Sequence, residues 1–196
     1  EIKTVFDKKM DFLVAIIDLE TQTLNEIQLL KVYKTDVNNV KGSSTIMNDF
    51  NHIKAAYFVG IGGIGMSALA RYCRQNGMQV FGYDKTPSAL TNAMQKEGMK
   101  ITFKDTISEL PDSFREFSDS QIVVYTPAMP KDSAILNELE CQGYTMLKRA
   151  ALLGLISKSH YTLAVAGTHG KTTTSTMLAH IMFQSGYKML GILGGL

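Results

Sequence analysis

The sequence has no tryptophan, two cysteines, four prolines, almost no net charge and no long apolar run, and each shortage removes a class of protein. Cys73 and Cys141 are too few for a disulfide scaffold. Neither has a second Cys or a His at metal-ligand spacing, so both read as reduced thiols in a helical core. The formal charge of +2 is the difference between 20 basic and 18 acidic residues spread along the chain. It supplies no field to gather nucleic acid or an anionic membrane, so any anion must be held by a local site. The apolar run 12–17 falls far short of the about 20 residues a membrane span needs. Asp11 and Asp18 flank it and no small-residue cleavage site follows, which argues against a secretory signal. A cytoplasmic protein, with no nucleic-acid and no membrane partner, is the expectation.

What is present is 196 residues, 45% hydrophobic and 19% charged, enough for one full domain and part of a second. Residues 1–46 are charged and rich in Thr, Asn and Gln, and carry no glycine motif. They read as an extension of unknown role, with a natural start near Met47. From Lys54 onward, short apolar runs alternate with amphipathic stretches. Strands are expected at 55–59, 80–83, 101–103, 121–125 and 145–147, with helices at 66–75, 133–142 and 149–158. This alternation implies an α/β fold, a Rossmann-like parallel sheet over 47–157 that binds ligands beyond the carboxyl ends of its strands. A second unit begins at 158 with a strand (161–166), a loop (167–171), a helix (172–185) and the start of another strand (188–193). One strand-helix-strand is too small to stand alone, so 158–196 is expected to be the truncated start of a P-loop-type α/β domain.

Directly after the first strand of the alternating region stands Gly60-Ile61-Gly62-Gly63-Ile64-Gly65-Met66-Ser67. Glycines at 60, 62 and 65 allow a tight turn and close backbone approach, and the unpaired amides at the following helix start attract phosphate. Asp84 ends the next strand 19 residues after Gly65, where an acidic residue commonly meets a ribose hydroxyl, although a strand-end turn residue is the plain alternative. By itself this loop fits NAD as well as any other nucleotide.

A second loop, Gly167-Thr168-His169-Gly170-Lys171-Thr172-Thr173-Thr174, follows the apolar run 163–166. Gly170-Lys171-Thr172 matches the end of the Walker pattern, in which amides wrap a phosphate, lysine reaches the β and γ phosphates and the hydroxyl ligates magnesium. The usual first glycine is replaced by Val165, with glycine at Gly167 instead. Met177, Leu178, Ile181 and Met182 form an apolar stripe expected to pack on the sheet. His169 stands in the loop, facing either a nucleotide or solvent, and His52, His160 and His180 read as structural or surface residues. A lysine-bearing second loop has no task in an NAD-dependent oxidoreductase, one competing reading; a non-catalytic nucleotide-binding protein is another.

The run Gly-Thr-His-Gly-Lys-Thr-Thr-Thr resembles the ATP loop of the Mur ligases, where the shortened glycine spacing is usual. The first loop, the stretch Val123 to Pro130 and Lys148-Arg149-Ala150 resemble the members of that family that add L-alanine to UDP-N-acetylmuramate, over residues 50–196. A relative that adds whole peptides fits the first loop less well. The resemblance implies that Gly60, Gly62, Gly63, Ile64, Gly65, Met66 and Ser67 hold the diphosphate of the UDP-sugar. Asp84, Thr126, Pro127 and Ala128 would lie near the uridine, and Arg149 would belong to the same site. Gly167, Thr168, His169, Gly170, Lys171, Thr172 and Thr173 would hold ATP, with Lys171 and Thr172 catalytic and Thr172 on Mg2+. It implies an ATP-dependent, amide-forming ligase of peptidoglycan biosynthesis. Because the family's remaining parts would lie beyond Leu196, the expectation is UDP-sugar binding without turnover.

Overall fold

The computed structural model describes residues 52–130, 132–158, 160–165, 169–187 and 189–192, together with the backbone of 12–16. The chain divides into two compact units, one within 35–153 and one that joins the N-terminal strand to residues 154–196. The N-terminal strand is β1 (Phe12–Ile16).

The first unit contains β2 (Ala55–Val59), α1 (Ile64–Gln75), β3 (Gln79–Tyr83), α2 (Ala89–Lys96), β4 (Lys100–Thr102), β5 (Gln121–Tyr125), α3 (Ala134–Cys141) and β6 (Thr145–Lys148). Its five strands are ordered β4-β3-β2-β5-β6, and every pairing is parallel. All five residues of β2 are buried, as a central parallel strand covered on both faces requires. From β2 the chain builds outward through β3 and β4, then returns to β5 on the other side. The switch point therefore lies at the carboxyl ends of β2 and β5, where open α/β sheets bind ligands.

Two layers hold this sheet. Leu69, Ala70 and Cys73 on one face of α1 are fully buried as that helix packs on β2 and β3. The opposite layer centres on Phe114, whose ring centroid stands 5.4 Å from Tyr57, 5.6 Å from Phe81 and 5.4 Å from Tyr144. The helix α2 has no counterpart among the sequence-based expectations. It is only eight residues long and is started by a capping box in which Ser88 and Thr91 exchange side-chain and backbone bonds, with Thr in place of the usual Glu or Gln. Cys141, expected in the core, is exposed, because the buried positions of α3 are Ile135 and Leu139.

The bridging helix α4 (Arg149–Lys158) leads to the second unit, where β7 (Tyr161–Val165), α5 (Lys171–Gln184) and β8 (Met189–Ile192) follow. The sheet here has the order β7-β1-β8 with parallel pairing throughout. Residues 12–16 of the segment read as an extension are thus its middle strand; the remainder of 1–46, and Met47, lie outside the described residues. The apolar stripe expected on α5 is only partly buried. Met182 is buried and Leu178 half-buried, whereas Met177 and Ile181 are each 61% exposed. At 100° per residue, Met177 and Ile181 fall on the side of the helix opposite Ser175 and Met182, which face inward. Among the described residues no helix is long and apolar enough to cross a membrane.

Candidate functional site

The first loop is anchored by main chain and by one apolar plug. Gly60 and Ile61 both donate their N–H to the carbonyl of Tyr83, at 2.8 and 3.0 Å, which ties the end of β2 to the end of β3. Gly60 has φ of 84°, a left-handed conformation that glycine adopts without strain. The side chain of Ile61 is fully buried and lies over Gly82, where an added Cβ would stand 2.7 Å from Ile61 Cδ1 and 2.8 Å from Phe58 O. A glycine inside a strand marks such a close approach.

Beyond this anchor the loop opens. The N-cap of α1 is Gly63, with no side-chain cap and no acidic residue in the first turn. The first helical bond is Ser67 N–H to Gly63 O at 2.8 Å. The amides of Ile64, Gly65 and Met66 consequently have no acceptor among the described residues, while Gly63 and Ile64 are exposed. Arg149, the first residue of α4, lies against this end: a Cβ on Gly65 would be 3.0 Å from its Nη1 and 3.2 Å from its Cδ. Its guanidinium has no hydrogen-bond or ion-pair partner among the described residues. A cation beside the positive end of a helix is unfavourable alone and favourable with an anion between them.

The other expected residues fall into place unequally. Asp84 Oδ2 accepts the N–H of Gly62 at 2.7 Å, and Oδ1 accepts that of Thr86 at 3.1 Å, so its carboxylate clamps the glycine loop to the turn after β3. Ser67 is 2% exposed and donates its hydroxyl proton to Ile64 O at 2.8 Å, which turns it back onto its own helix. Thr126, Pro127 and Ala128 follow β5 as a turn, with Met129 N–H bonded to Thr126 O at 3.1 Å and Pro127 and Ala128 exposed. This turn stands beside the first loop: a Cβ on Gly60 would be 2.8 Å from Thr126 Cγ2 and 3.3 Å from Met129 Sδ.

Sequence reasoning missed Met129, Gly82, Asp105 and Ser133. Asp105 Oδ1 accepts from the Ser133 hydroxyl at 3.1 Å and from Ile135 N–H at 2.9 Å, pinning the start of α3 directly after the Thr126 turn. Burial, and after it the charges of Asp105 and Asp84, raise the pKa of the Tyr83 phenol. Only the glycine within β3 could have signalled the loop anchor from sequence.

In the second unit, Gly170 is the N-cap of α5 at φ 75° and ψ 0°, again with no side-chain cap and no acid in the first turn. Space around it is open, a Cβ meeting only Thr174 Oγ1 at 4.0 Å, so the demand for glycine comes from the backbone. Thr174 N–H bonds Gly170 O at 2.9 Å, and the amides of Thr172 and Thr173 have no acceptor among the described residues. His169 is exposed, and Lys171 and Thr172 are half-buried at the helix start. Gly167 and Thr168 lie outside the described residues. His160 Nδ1 is 2.9 Å from Ile156 O, a structural contact. No group of three or more His, Cys, Asp or Glu gathers among the described residues, and the half-buried Thr172 at the start of α5 carries a hydroxyl oxygen of the kind a hard divalent cation accepts.

A model of the Mur ligase family catalytic domain matches residues 55–161. The UDP-N-acetylmuramate--L-alanine ligase of Cytophaga hutchinsonii is 49% identical over 148 residues, covering 76% of this chain and 32% of that protein. The ligase of the same name from Christiangramia forsetii is 45% identical over 150 residues, 76% of this chain and 33% of its own length. Among solved structures, the UDP-N-acetylmuramate-alanine ligase of Thermotoga maritima aligns with a TM-score of 0.56 and 31% identity over 67% of this chain and 30% of that one. The UDP-N-acetylmuramate:L-alanyl-gamma-D-glutamyl-meso-diaminopimelate ligase of Neisseria meningitides aligns with a TM-score of 0.60 and 26% identity over 68% and 40%. The chain spans about a third of the length of the curated relatives it matches.

Proposed function

The chain belongs to the Mur ligase family, and on that premise we propose that it carries two nucleotide-binding loops of an ATP-dependent ligase joining L-alanine to UDP-N-acetylmuramate in peptidoglycan biosynthesis. The observation that carries this reading is the uncapped start of α1, with the guanidinium of Arg149, which has no partner among the described residues, against Gly65. A diphosphate satisfies both at once. We assign it to the amides of Ile64, Gly65 and Met66, with Gly63 exposed beneath it and Arg149 beside it. The Gly62 amide is excluded from that contact, because a phosphate there would face the Asp84 carboxylate that already holds it. Asp84 and the Thr126 to Ala128 turn then border the uridine end.

The second loop is assigned to ATP. The open amides of Thr172 and Thr173 and the left-handed Gly170 fit a phosphate chain, Lys171 neutralises charge on its outer phosphates and Thr172 offers its hydroxyl to Mg2+. The cation would supply charge neutralisation when bound. In the reaction implied by the family, the γ-phosphoryl group of ATP would pass to the muramoyl carboxylate with release of ADP, and the amine of L-alanine would then displace phosphate from the acyl carbon, losing a proton as the amide forms. Alanine rather than a peptide is favoured by the curated relatives at 45–49% identity. We assign the reaction to the cytoplasm, where ATP is supplied.

Calorimetric titration of the chain tests this reading. UDP-N-acetylmuramate is expected to bind and NAD is not. Arg149→Ala should weaken the UDP-sugar at least tenfold, the scale of a lost charge-assisted hydrogen bond of about 1.5–3 kcal/mol, and leave Mg-ATP unchanged. Lys171→Ala should do the reverse. Tighter binding of NAD than of the UDP-sugar, or loss of both ligands in each variant, would refute it.

A further inference from the structure

We propose that β1 is the strand on which the phosphate-loop unit depends, and that the slot between β7 and β8 is a strand-accepting site that this chain fills with its own residues 12–16. The inference rests on the nucleotide reading of the second loop only for its ligand readout; the structural part stands without it.

Among the described residues β7 and β8 make no pairing with each other and meet only through β1. The register is complete on one side, from Phe12 opposite Tyr161 to Ile16 opposite Val165. On the other side it runs from Phe12 opposite Met189 to Ala15 opposite Ile192. The same residues are therefore in step with both neighbours, which an appended tail lying along one edge does not need to be. Two strand spacings of about 4.8 Å separate β7 from β8, too far for them to bond directly. Among the described residues no other strand lies in this slot, so without β1 each would present an inner row of N–H and C=O groups with no partner among them, a costly arrangement beneath a covering helix and one that invites any free strand.

The sequence suits the position. Phe-Leu-Val-Ala-Ile is wholly apolar, as strands in the middle of a parallel sheet are, and Asp11 and Asp18 bound the run. The consequence for function is direct. β7 leads into the loop that ends at Gly170, so the strand that fixes β7 also fixes where Lys171 and Thr172 begin their helix. The N-terminal segment, remote in sequence from that loop, becomes one of its positioning elements.

Proline in the middle strand provides the test, since it removes a ladder donor and its ring obstructs the neighbour. Val14→Pro, Ala15→Pro and the conservative Val14→Ile are made in the full chain and compared by hydrogen exchange read by mass spectrometry. Both proline variants are expected to exchange at least tenfold faster in 161–165 and 189–192, with 55–59 and 121–125 within twofold of the parent chain and Val14→Ile unchanged. An excess of a synthetic peptide of residues 8–20 should restore protection, and Mg-ATP affinity should fall with the protection and return with it. Unaltered exchange in 161–165 and 189–192 in both proline variants would overturn the proposal. Faster exchange there in a chain whose parent binds no ATP would support the strand and reject the nucleotide assignment of the loop.

Discussion

At the scale of single residues, the first loop is placed by contacts unlike those that would make it bind. Ile61 is a buried plug, Gly82 is the space it needs, and Asp84 holds the amide of Gly62; the groups proposed to bind are the backbone N–H groups beyond Gly63 and the side chain of Arg149. Gly82→Ala would put a Cβ 2.7 Å from Ile61 Cδ1 and 2.8 Å from Phe58 O, and the latter is backbone that cannot swing aside. The expected cost is about 1–3 kcal/mol of stability in chemical denaturation, as for overpacking elsewhere. With it should come about a tenfold loss of UDP-N-acetylmuramate affinity as the loop shifts. Gly63→Ala is the contrast: its φ is −66° and the nearest atom to a Cβ is 3.7 Å away, so stability should change by less than about 0.5 kcal/mol. Equal destabilisation by the two substitutions would contradict the role given to Ile61.

At the scale of elements, the turn after β5 and the start of α3 behave as one piece because a distant carboxylate ties them. Asp105 receives hydrogen bonds from Ser133 and Ile135, two residues at the start of a helix that the Thr126 turn leads into. Asp105→Ala leaves both donors to find other partners, and a loss of about 1–3 kcal/mol is expected from two bonds to a charged acceptor. Asp105→Asn, which keeps one acceptor oxygen, should recover part of it. Affinity for the UDP-sugar should fall in the same order, whereas Mg-ATP binding should not respond. Helix α5 shows the opposite case, an element correctly expected whose facing was not. Its apolar residues are spread around the helix, and only contact with the sheet selects Ser175 and Met182 as the inward side.

At the scale of the whole molecule, two sheets each present a glycine turn and an uncapped helix, with no net field to draw in anions. Folding of the larger unit is also linked to a proton. Burial pushes the Cys73 thiol from 9.0 up to about 12, because a thiolate under α1 would have no water. The folded state therefore holds this proton more tightly than the unfolded chain. The stability it contributes is complete below about pH 9 and is lost as pH rises toward 12. Relative to Cys73→Ala, the unfolding free energy of the parent chain from urea titrations should fall above pH 9 with a slope approaching about 1.4 kcal/mol per pH unit. Parallel free energies of the two chains across that range would show the thiol to be solvated.

The sequence by itself determined the α/β alternation, both glycine loops and the family, since each is written within a short strand-turn-helix stretch whose residue types state their own backbone demands. Only the tertiary structure decided that residues 12–16 enter the second sheet, that Arg149 lies on Gly65, that Asp84 is engaged by Gly62 and that Met177 and Ile181 face outward. All four depend on which distant segments bury one another and pair their main chains. Local patterns record what a residue can tolerate; long-range burial and strand pairing choose the neighbour it meets.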